Sequence, residues 1–72
     1  MTKRIAEIFW DNIETFVKEV ELSRTRVQQD LNLNTFYFTT SKKRNAIPSA
    51  KIIERMAEYF DKEYIEFFED WR

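Results

Sequence analysis

The sequence predicts an all-α fold, a five-helix bundle forming a single domain over residues 1–72. Three observations carry this expectation. The chain has no glycine and one proline, so its boundaries fall at polar capping residues between helices joined by tight turns. Its apolar residues recur three and four positions apart, the period of a helix face. Seven Phe, three Tyr and two Trp supply the apolar area that so short a chain needs, because a domain of this size hides only about 60 % of its unfolded surface.

The first helix is expected from about Thr2 to Val20, with Ile5, Phe9, Ile13, Phe16 and Val20 along one face. Lys3, Glu7, Asp11, Glu14 and Lys18 lie opposite, while Ile8, Trp10 and Val17 broaden the apolar stripe. Ser23 is a good N-cap for a second, short helix from Arg24 to Leu31, whose Val27 and Leu31 are one turn apart. Asn32 suits a left-handed turn, and Asn34 caps a third helix from Thr35 to about Lys43, leaving about three residues between the two helices. Within it Phe36-Tyr37-Phe38-Thr39-Thr40 has some strand character but is short and lies between helical signals. A basic loop then leads through Pro48 to Ser49, which caps a fourth helix carrying Ile52, Ile53, Met56, Ala57 and Phe60. Asp61 marks a break or cap, and a fifth helical segment holds Tyr64, Ile65, Phe67, Phe68 and Trp71.

Composition also bounds the chemistry. Cysteine and histidine are both absent, which removes disulfides, most metal ligands and the commonest nucleophile and general base. Without glycine there is no glycine-rich phosphate cradle, and the many carboxylates read as solvated helix faces. The expected protein is not an enzyme and carries no cofactor, metal or small-molecule substrate. The charged start, from Met1 to Asn12, lacks the apolar run of a signal peptide or membrane span, so a soluble cytoplasmic location is expected.

Charge is unevenly spread within a net charge of −1. Residues 1–22 hold three basic and five acidic side chains, residues 23–49 five and one, and residues 50–72 four and seven. A basic centre thus sits inside an acidic frame. Lys42, Lys43 and Arg44 are phosphate clamps, the rim of a site for an acidic protein surface, or a solvated helix end matched to the helix dipole.

The stretch from Ser23 to Arg44 resembles the two central helices of the phage-repressor and Cro-like helix-turn-helix family, with the motif at about 24–43. Val27, Leu31 and Leu33 fall where that family places core aliphatics, and Phe38 falls at the core position of its recognition helix. Ile47-Pro48-Ser49 looks like its loop into helix four, and the segment from Ile52 to Phe68 is similar to its closing helices. Three residues depart from the pattern. Gln28 stands in place of a small alanine, Asn32 in place of the turn glycine and Arg44 in place of a loop glycine. A polar side chain as long as Gln28 is expected to splay the two helices or escape to the surface.

The resemblance implies that Asn34, Thr35, Phe36 and Thr40 face outward at the recognition helix and that Arg24 sits near a phosphate. Bases are read by Arg, Asn, Gln or Lys, whereas Phe offers only apolar contact to a thymine methyl. Phe36 beside Tyr37 therefore suits a protein partner, unless Tyr37 is core and Phe36 merely covers it. Small helix-turn-helix proteins of this length include the modulator-of-repression antirepressors of temperate phages, which inactivate a repressor by binding it, and this sequence looks like one of them.

Two functional readings follow. In the first, an antirepressor of a lysis–lysogeny switch docks a helix-turn-helix repressor protein through Arg24, Thr35, Phe36, Tyr37 and Thr39, together with Thr40, Lys42, Lys43 and Arg44. In the second, a Cro-like repressor binds operator DNA as a dimer through Arg24, Asn34, Thr35, Thr40, Lys43 and Arg44, with Phe67, Phe68 and Trp71 forming the dimer contact.

Overall fold

The computed structural model describes residues 4–70, so Thr2, Lys3 and Trp71 lie outside the described residues. The described chain is all-helical: α1 (Ile5–Glu19), α2 (Arg24–Asp30), α3 (Tyr37–Lys43), α4 (Ala50–Phe60) and a terminal 3-10 helix (Tyr64–Phe68). Where a fifth helical segment is expected there is a five-residue 3-10 helix and no α-helix, closed by a reciprocal box in which Glu66 accepts from the Glu63 backbone N–H at 2.6 Å.

α1 forms the spine because its apolar stripe is wide enough to meet neighbours on two sides. Phe9, Ile13 and Phe16 are buried as the spacing predicts, and Trp10 and Val17 are buried with them. Ile5, expected on the same stripe, is 59 % exposed, because it opens the helix at the edge of the core. The core is one continuous run of aromatic contacts across elements distant in sequence. Phe38 of α3 meets Trp10 at 5.6 Å, Trp10 meets Phe9 edge-on at 5.0 Å, and Phe9 stacks on Phe67 of the 3-10 helix at 5.7 Å. Phe67 meets Phe16 edge-on at 5.2 Å, and Phe16 meets Phe60 of α4 at 5.8 Å. Aromatic pairs in these geometries add roughly 0.5–1.5 kcal/mol each beyond the area they bury. Phe67 is fully buried, so it is core of one chain and not the dimer surface of the DNA-binding reading.

Polar ties hold the run in register. The buried Asn12 amide donates to the carbonyls of Phe67 and Glu69, both at 2.9 Å, fastening the 3-10 helix to α1. The Trp10 indole N–H donates to the Ala46 carbonyl at 2.8 Å, fastening the loop after α3. Lys62 pairs with Glu19 at 3.0 Å and lies 5.1 Å over the Phe16 ring; the hydrogen bond to Glu19 is the main reason its pKa is raised.

All four α-helices stop in a left-handed residue, and none of the four is glycine: Glu21, Asn32, Asn45 and Asp61 have φ between 55° and 58°. After α2, α3 and α4 the following N–H reaches back to the last turn, as in Leu33 to Gln28 at 2.7 Å, Ala46 to Ser41 at 3.0 Å and Lys62 to Ala57 at 2.9 Å. This is the Schellman arrangement that satisfies terminal carbonyls. Asn32 takes the left-handed role predicted for it, whereas after α3 the role falls to Asn45 and Arg44 stays right-handed. Ser23 caps α2 by accepting from the Arg26 N–H at 3.1 Å. Ser49 occupies the N-cap position of α4 without making the expected side-chain bond.

Candidate functional site

The α2–α3 unit departs from expectation in its turn. Six residues, 31–36, separate the helices, and α3 begins at Tyr37, not Thr35. The Asn34 side chain does not cap α3; its Oδ1 accepts from the Phe36 N–H at 2.8 Å, closing a local turn one step earlier. Thr35 and Phe36 are therefore turn residues.

Gln28 explains where α3 starts. It neither splays the helices nor escapes: only 2 % exposed, its Oε1 accepts from the Phe38 N–H at 2.7 Å and its Nε2 donates to the carbonyls of Thr35 at 2.7 Å and Arg24 at 3.1 Å. A long amide in place of alanine thus works as an internal cap, because both ends of its side chain find backbone partners in the turn. From outside, α2 is held to α4. Arg26 pairs with Asp30 at 3.0 Å, Asp30 accepts from the Tyr59 hydroxyl at 2.6 Å, and the Arg55 guanidinium donates to the Leu31 carbonyl. The bond from Tyr59, then that from Arg26, hold the Asp30 carboxyl below the usual aspartate range.

These anchors present the expected site residues on two different flanks of α3. On one flank Asn34, Phe36, Tyr37, Thr40, Ser41 and Arg44 line an open hollow of about 360 Å³. Phe36 stands out of it, 69 % exposed. Tyr37 is half-buried, and burial raises its phenol pKa despite a hydrogen bond with Ser41. On the other flank Arg24, Thr39, Lys42 and Lys43 border a groove of about 240 Å³ whose floor is Trp10, Ile13, Val17 and Phe38. Thr35 lines neither, although its side chain is exposed and its carbonyl is held by Gln28.

Glu14 of α1 is the residue that sequence reasoning assigned only to a solvated face. Its Oε1 accepts from Lys42 Nζ at 2.8 Å and from Arg24 Nη2 at 3.2 Å. Two of the cations expected to grip a partner are thereby already engaged by this chain. Their partner lies 10 and 28 positions away in sequence, so no local pattern could have revealed it. Lys43 and Arg44 form no ion pair among the described residues and remain exposed at the end of α3.

The arrangement suits binding by contact: an aromatic knob with a polar surround on one flank, a basic-rimmed apolar groove on the other. Among the described residues there is no cluster of His, Cys, Asp or Glu able to hold a metal ion and no helix long and apolar enough to cross a membrane. The architecture defines an all-helical protein with a basic, aromatic-bearing α2–α3 unit. No family model, curated protein or solved structure matches the chain.

Proposed function

We propose that the chain is a helix-turn-helix antirepressor of a phage-type genetic switch, acting by binding and not by catalysis. It docks a helix-turn-helix repressor protein through the outer face of α2–α3. The observation that carries this reading is Phe36, a large aromatic side chain 69 % exposed at the start of α3 and sharing its hollow with Asn34, Thr40 and Arg44. Aromatic residues set in a polar surround are the usual anchors of protein interfaces, and Phe is a poor reader of base edges. The engagement of Arg24 and Lys42 by Glu14 adds support, because it puts an acidic group where a DNA backbone would approach.

The test is to mix the chain with a helix-turn-helix repressor, taken from a neighbouring gene where one is found, and measure a complex by size exclusion and calorimetry. Phe36→Ala is expected to weaken that complex by more than about 1 kcal/mol. Absence of a complex overturns the reading. A gel shift on operator DNA by the chain alone, tight and salt-sensitive, replaces it with direct DNA binding.

A further inference from the structure

We propose that the groove between α1 and α3 is a second docking site, which takes an acidic segment of a partner protein presenting one large apolar side chain beside carboxylates. The floor, built from Trp10, Ile13, Val17 and Phe38, is apolar, and the groove measures about 240 Å³. An enclosed apolar cavity of about 150 Å³ is enough to hold benzene, so the groove has room for an aromatic or long aliphatic side chain. Its rim carries three cations, Arg24, Lys42 and Lys43, against the single carboxylate of Glu14.

Glu14 defines the rest of the ligand. One of its oxygens sits 2.8 Å from Lys42 Nζ and 3.2 Å from Arg24 Nη2, so two helices already converge on a carboxylate position at the mouth of the groove. Both cations are half-exposed or more, at 50 % and 58 %, and ion pairs this open to water are weak. An incoming carboxylate can take the place of Glu14, while a second one meets Lys43. Glu14 is then an internal stand-in that competes with the partner and tunes its affinity downward. Nucleic acid fits less well: phosphate suits the cations, but a sugar-phosphate backbone has nothing to lay on an apolar floor.

This inference stands apart from the reading of Phe36, because the groove and the Phe36 hollow share no lining residue. The experiment titrates the ¹⁵N-labelled full chain with the peptide acetyl-Glu-Phe-Glu-amide, following the Trp10 indole N–H and the amides of Val17, Thr39 and Lys42. Those signals are expected to move together. Binding should tighten about threefold in Glu14→Gln and weaken about fivefold in Lys42→Gln, the range expected for single exposed ion pairs. Acetyl-Gln-Phe-Gln-amide should bind much more weakly. The proposal is overturned by no shifts at millimolar peptide, by shifts confined to the Phe36 hollow, or by equal binding of the neutral peptide. It also fails if Glu14→Gln does not tighten binding, or if a short DNA duplex gives the same shifts at lower concentration. Failure of the repressor to bind leaves these readouts unaltered, so the two readings fail separately.

Discussion

The frame made of α1, α4 and the 3-10 helix and the unit made of α2 and α3 are held together in different ways. In the frame, Phe9, Phe16, Phe60 and Phe67 form a continuous aromatic contact, with one buried amide, Asn12, setting the register. In the α2–α3 unit, two helices of seven residues each are too short to stand alone in water. Val27, Leu31 and Phe38 seat them in the same core, and directed bonds then fix the turn and the ends: Gln28 into the turn, Ser23 at one end and Trp10 to Ala46 at the other. Apolar burial is tolerant of direction, whereas a hydrogen-bonded amide demands one geometry. The outer side of α3 leaves Phe36, Lys43 and Arg44 exposed for a partner, while Arg24 and Lys42 are engaged by Glu14.

The largest loss is expected in the frame. Phe67→Ala removes a fully buried ring touching both Phe9 and Phe16, and a loss of about 3–5 kcal/mol is expected. Chemical denaturation should show the whole chain becoming marginal or unfolded. Gln28→Ala is expected to cost about 1–3 kcal/mol, since it leaves the Phe38 N–H and the Thr35 carbonyl without their partner. Its signature should be local, with amide exchange accelerating in residues 35–40 while α1 and α4 stay protected; uniform loss would mean that the two regions are one cooperative unit.

Smaller effects sharpen the same contrast. Glu21 ends α1 at φ 58°, where a side chain with a β-carbon is penalised, so Glu21→Gly should raise stability by about 0.5–1 kcal/mol. The equivalent change at Asn32 should gain less, because Asn tolerates that conformation. The Asp30 carboxyl, whose pKa is lowered chiefly by the Tyr59 hydrogen bond and then by Arg26, contributes stability that is present above the unfolded aspartate pKa. That contribution is lost as pH falls below about 4 and through the lowered folded value. Asp30→Asn should flatten this part of an acid titration, and Tyr59→Phe should shrink it.

Much of the architecture was legible in the residues themselves. The three-and-four spacing of Phe9, Ile13 and Phe16, the Ser23 cap and the left-handed Asn32 are local properties and appear where local rules put them. The α2–α3 turn was misread as three residues long because Asn34 is as good a cap for a turn as for a helix. Gln28 was legible as an exception but not as a solution, since its partners Thr35 and Phe38 become its neighbours only once the chain has turned. The aromatic run gave no advance sign of which rings would meet.

By itself the sequence determined the all-helical class, most helix boundaries and the basic centre within acidic ends, because these depend on period, capping and charge count along a few turns of chain. Only the tertiary structure decided that the predicted site residues divide between two flanks of α3 and that Glu14 engages Arg24 and Lys42. Those outcomes depend on contacts between residues far apart in the chain, and no local pattern encodes which distant side chains will face one another.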